Sequence, residues 1–184
     1  MNVILNAVSF KIAWMSVVIG AANGLPLLGP AVILAAVLLH LSKADDPALE
    51  LVLIAMAGVI GLAWDSVMVT AGWLTYQNGT FAAGLAPYWI LAMWMLFATT
   101  LNVSLRGLRD RPLLAALLGA VFGPLSYLAG SAAGVVDIVR EDAALPALAL
   151  GWALLMPGLL VLAGQLDGMR PATVPAEHGR QGPG

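Results

Sequence analysis

Six apolar runs, separated by short polar breaks, fill this chain from Val3 to Leu166. No other feature constrains its fold so strongly. A helix needs about 20 mostly apolar residues to cross a bilayer. The runs cover residues 3–22, 25–41, 48–74, 87–105, 113–133 and 144–166. The first ends at Asn-Gly-Leu-Pro, and the short second run opens on Pro26 and Pro30. Pro124 interrupts the fifth and is expected to kink it. In the break Ser-Lys-Ala-Asp-Asp-Pro, Asp46 or Pro47 is placed to start the third helix. Asn78-Gly79 marks a turn in the next break.

Composition agrees. Of the 184 residues, 61% are hydrophobic and only 10% charged, against about 25% charged in ordinary soluble domains. A soluble fold of this size has too much surface to hide so many apolar side chains. The expected fold is all-α, a polytopic membrane bundle of about six transmembrane helices. It spans residues 1–167, with a Pro- and Gly-rich disordered cytoplasmic tail at 168–184. The first run lacks a preceding positive segment, so it reads as a retained span rather than a cleaved leader. No internal repeat is legible. The net charge of -2 gives no reason to expect a nucleic-acid partner, and the absence of cysteine removes disulfides and thiolate chemistry.

Lys and Arg are retained on the cytoplasmic side of inner-membrane proteins. With six spans, six of the eight lie on the side of the chain ends, namely Lys43, Arg106, Arg109, Arg111, Arg170 and Arg180. Arg140 alone lies on the other side, and Lys11 falls within the first span. Both termini are therefore expected in the cytoplasm. Trp73, Tyr76, Tyr88 and Trp89 would gather at the outer interface, where amphipathic rings are favoured. Arg109 and Asp110 read as solvated loop charges, and His40 as an interfacial residue.

Asp65 stands within the third run. At 100° per residue it shares an arc of about 60° with Gly58, Gly61 and Gly72. Helices in lipid associate where small residues let them approach and where polar groups find partners, so this face should meet protein. Gly119, Gly123, Ser126 and Gly130 align on the fifth helix beside Tyr127; Gly119 with Gly123, and Gly130 with Gly134, fit the small-xxx-small pattern. The packing glycines are thus expected to be Gly58, Gly61, Gly119, Gly123, Gly130 and Gly134. The first helix has a polar stripe including Asn6, Ser16 and Asn23, and the fourth carries Thr99 and Asn102. Lys11 points away from that stripe and is expected to snorkel rather than pair with Asp65. Tyr127, Ser126, Asn23 and Ser16 are the expected donors to Asp65.

A carboxylate at such depth is costly, so an intramembrane acid is a functional-site candidate by default. The ligand-binding candidates are Asp65, Asn6, Ser16, Asn23, Thr99, Asn102, Ser126 and Tyr127. A purely structural role, as a hydrogen-bonded carboxyl joining helices, is the competing reading. No catalytic residue set is legible, so enzyme activity is not expected, though the sequence does not decide it. The two histidines, His40 and His178, cannot supply a multi-histidine iron site, and no His-Glu-x-x-His, nucleotide or nucleophile-elbow motif occurs. No cofactor or metal is expected.

The stretches APYWILAMWMLFATTLNVSLRGL (86–108) and GAVFGPLSYLAGSAAG (119–134) resemble a bacterial family of small inner-membrane proteins known only as a domain of unknown function. The Asp65-bearing third run and the first run are also similar, and the resemblance extends to about Asp167. It implies no catalytic residues. Such proteins are often encoded near cyclopropane-fatty-acid-synthase-like enzymes, which implies a link to membrane lipid. The leading expectation is an accessory protein of lipid modification or envelope stress that binds a lipid or small apolar metabolite. Its partners would be membrane lipid, a second copy, or a lipid-modifying enzyme. Trp64, Trp73, Trp89 and Trp94 would supply apolar walls or, for most of them, interfacial anchors. A small proton- or cation-coupled transporter using Asp65, and a ligand-free helical scaffold, are the alternatives.

Overall fold

The computed structural model describes residues 1–25 and 27–169. Pro26 and residues 170–184, which include most of the expected tail, lie outside the described residues. Six helices follow in order: α1 (Val3–Ala22), α2 (Leu28–Leu41), α3 (Pro47–Thr70), α4 (Tyr88–Leu101), α5 (Pro112–Ala132) and α6 (Glu141–Gln165). Four of them, α1, α3, α5 and α6, are long and apolar enough to cross a membrane. Helices α2 and α4 have 14 residues each, about 21 Å of rise, which is short of a hydrocarbon core of about 30 Å. α4 tolerates this because it is largely enclosed by protein, with Trp94, Leu96, Ala98 and Leu101 all buried. Its C-terminal turns meet other helices rather than lipid.

Local chemistry sets the helix ends. The Asp46 carboxylate accepts from the backbone N–H of Ala48 and Leu49, and Pro47 occupies the first helical position of α3. Pro112 does the same for α5. α5 continues through Pro124 to Ala132 as one helix. α3 and α5 stop in the same way. Gly72 (φ 71°) and Gly134 (φ 72°) adopt the left-handed conformation. The following N–H groups, of Trp73 and Val135, reach back to the carbonyls of Met68 and Gly130, closing the Schellman arrangement. Gly134 is therefore a helix terminator and not a packing residue: it lies beyond α5, and a Cβ there would meet nothing within 4 Å.

Each terminator delivers the chain into a short strand, which the all-α expectation did not contain. β1 (Leu74–Tyr76) and β2 (Val136–Ile138) pair antiparallel, with Thr75 opposite Asp137. The course α3–β1–α4 is thus repeated by α5–β2–α6. At one constant spacing Gly61 corresponds to Gly123, Asp65 to Tyr127, Gly72 to Gly134 and Thr75 to Asp137. The correspondence ends with the strands, because α4 starts at Tyr88 and α6 at Glu141, so the two units share a helix–glycine–strand course and not one spacing throughout.

α5 packs on α6, α3 on α4 and α1 on α2, with α4 also against α1 and α2. Glycines make these approaches close. A Cβ on Gly61 would overlap the Trp94 ring, and one on Gly58 would press on Leu91 and Met95. Gly119 and Gly123 face Trp152 of α6, and Gly130 faces Val136. The outward surface is apolar: Leu113 is 86% exposed and Leu154 75% exposed. Such surfaces belong in hydrocarbon rather than in water.

Candidate functional site

Asp65 is fully buried near the end of α3. Three donors converge on it. The hydroxyls of Tyr76 and Tyr127 donate to Oδ1 at 2.6 Å and 2.8 Å, and the Trp94 indole N–H donates to Oδ2 at 2.7 Å. Each donor comes from a different element. The strand pair turns Tyr76 back over the end of α3, α4 brings Trp94 across Gly61, and α5 supplies Tyr127. This shell suits an ionised carboxylate, which only accepts hydrogen bonds and is stabilised by several of them.

Of the expected donors, Tyr127 reaches Asp65. Ser16, Asn23 and Ser126 instead bond carbonyls of their own helices, at Ala13, Ile19 and Gly123. A helical hydroxyl or amide has its own preceding turn within reach, so these residues need no partner elsewhere. Tyr76 and Trp94 escaped sequence reading because interfacial anchoring and apolar packing explain such rings equally well. Lys11 is exposed, with its ammonium 5.2 Å from the Trp14 ring centroid, and forms no ion pair with Asp65.

The three donors also wall a cavity of about 190 Å³ bounded by α1, α4, α5 and α6. Trp14, Trp89, Phe97, Phe122 and Trp152 contribute further rings. Trp94 and Trp152 stack with centroids 4.6 Å apart, and Tyr76 meets Trp89 edge-on at 5.3 Å. Asp65 itself is behind the wall. Phe122 is 61% exposed, so the cavity opens sideways where α5 faces the hydrocarbon. Ser126 lies on this rim.

A second polar centre closes the opposite end of the bundle. Glu50, also fully buried, accepts from the Gly168 N–H at 3.0 Å, from the Asn102 amide, and is 2.7 Å from His40 Nε2. Asn102 in turn accepts from Arg109, and Arg109 and Arg106 hold Asp167 at 2.7 Å and 2.8 Å. Asp167 is outside α6. Burial pushes its carboxyl upward, but the two guanidiniums outweigh burial and leave it below the usual carboxylate range. Several expectations change here. Glu50 joins Asp65 as a second fully buried acid on α3. Arg109 is not a solvated loop charge, and His40 is buried. Gly168 belongs to the folded body rather than to a tail, since its carbonyl accepts from Asp45 and Asp46. Glu50 was missed because an acid in the first turn of a helix is commonplace.

The remaining candidates belong to neither centre. Asn6 donates to the Thr99 carbonyl at 3.0 Å and accepts from Ser104, joining α1 to α4, while the Thr99 hydroxyl bonds the Leu96 carbonyl. Among the described residues no group of three or more His, Asp or Glu is placed to hold a metal ion.

Fold and site together define a multi-helix membrane protein with two buried polar centres. The chain belongs to the family described as Protein of unknown function (DUF2878), which it matches over residues 3–158. Neither a curated protein nor a solved structure matches it.

Proposed function

We propose that this protein resides in the bacterial inner membrane, with both termini cytoplasmic, and holds one small metabolite or one end of a lipid in the cavity beside Asp65. One observation carries the reading: an aromatic cavity within the bundle opens toward lipid and has three of its walls fixed by a single buried carboxylate. An apolar cavity of roughly 150 Å³ accommodates a benzene. The 190 Å³ here therefore suits a small metabolite or one end of a lipid, not a whole lipid. An accessory role in membrane-lipid modification fits this guest and rests on the family resemblance. A lipid-modifying enzyme or a second copy would then be its protein partner.

Asp65 acts as a positioning residue, holding Tyr76, Trp94 and Tyr127 in place. Native mass spectrometry of the full chain released from bilayers tests the reading. A stoichiometric adduct is expected, and a cavity-filling Gly130→Phe variant should lose it. An adduct-free wild-type protein released from its native membrane would overturn the proposal.

A proton- or cation-coupled transporter is the second reading, favoured by the presence of two buried acids on one helix. It requires flux. Normal flux through Asp65→Asn in liposomes would exclude it.

A further inference from the structure

The walls of the cavity specify its guest more narrowly, in an inference that rests on the guest-binding reading above. Every hydrogen that Tyr76, Tyr127 and Trp94 can donate from a side chain is committed to Asp65. These residues can offer the cavity only phenol lone pairs and ring faces. The Ser126 hydroxyl donates to its own helix. Aromatic faces carry the negative lobe of the ring quadrupole and attract cations, most strongly when water is excluded. Trp14, Trp89, Trp94 and Trp152 are the ring type best suited to this.

Charge points the same way. Asp65 has no cationic partner among the described residues. Arg106 and Arg109 are engaged with Asp167 in the other polar centre, and Lys11 rests on Trp14 without lining the cavity. Two wall donors remain, the indole N–H groups of Trp14, which has no hydrogen-bond partner among the described residues, and of Trp152, which is directed at the Tyr127 oxygen; neither is enough to hold an anion against Asp65. Acid behind the wall, rings on it and a lateral opening form one gradient that favours positive charge inside and an apolar tail outside.

We propose that the cavity between α1 and α5 binds the cationic head of an amphiphile, an amine or quaternary ammonium, with the rings as its cage and Asp65 as its buried counter-charge. The tail leaves past Phe122 into hydrocarbon.

The test compares benzyltrimethylammonium with neopentylbenzene, its neutral carbon isostere. The full chain is held in dodecyl maltoside micelles, binding is read from its tryptophan fluorescence, and partitioning is corrected on empty micelles. The cation is expected to bind at least tenfold more tightly, and Asp65→Asn should remove most of that preference. Equal or weaker binding of the cation overturns the cationic assignment while leaving the guest-binding reading intact. Binding of neither probe overturns both. The wild-type comparison decides the matter even if Asp65→Asn does not fold.

Discussion

Single residues decide whether this bundle closes. Gly61 is the sharpest case, because any side chain there meets the Trp94 ring that Asp65 holds in place. Gly61→Ala is expected to cost about 1–3 kcal/mol, the usual range for overpacking, and to lower the melting temperature in detergent. At Gly107 a Cβ would meet nothing within 4 Å, so Gly107→Ala should leave it nearly unchanged. Asp65→Asn presents an amide N–H to one of three donors and leaves that donor unpaired. A loss of about 1–3 kcal/mol follows, measurable as a lower denaturation midpoint. That Asp65 faces protein was legible in the sequence, as was its contact with Tyr127, because a charge on a glycine face in lipid has few destinations. Trp94 and Tyr76 were not legible. The contact of Tyr76 depends on a strand pair joining residues far apart in sequence, which no helical periodicity reports.

Elements are tied together at the end that holds Glu50. Arg109 meets Asn102 and Asp167, while Asn102 and Gly168 meet Glu50, so α2, α3, α4 and the segment after α6 share one network. Arg109→Ala leaves Asp167 and Asn102 without their partner. We expect a loss of about 1–3 kcal/mol, the cost of leaving charge-assisted hydrogen bonds at a part-buried site unmade, whereas Arg140→Ala, at an exposed pair, should leave melting unchanged. The pH dependence follows from the sign of the Asp167 shift. Its folded-state carboxyl titrates below the ordinary value of 3.8. Its contribution is therefore present above that value and is lost as pH falls through the depressed one. Melting in detergent should decline in this acid range, and Asp167→Asn should flatten the decline. Helix boundaries were legible to within a few residues, since Asp46-Pro47 and Arg111-Pro112 punctuate the chain. The two strands were not, being three residues each and continuous in hydropathy with the helices before them.

For the whole molecule, the polar network lies at one end and the strand pair at the other, with the start of α1 beside Ser104 at the network end. The cysteine-free chain permits single-cysteine labelling. Lys43→Cys should react only from the cytoplasmic face and Thr75→Cys only from the outer face; labelling of both from one face would refute the proposed topology. That the chain is a membrane bundle was legible from composition alone. That it encloses a cavity was not, because the same aromatic side chains serve equally as interfacial anchors until their neighbours are known. The most direct measurement is photolabelling of the protein in native membranes with an alkyl diazirine, mapped by peptide mass spectrometry. Labels should concentrate on Trp14, Phe122, Tyr127 and Met156, around the cavity. An even spread over outward residues such as Leu113, Leu150 and Leu154, with none inside, would contradict the account.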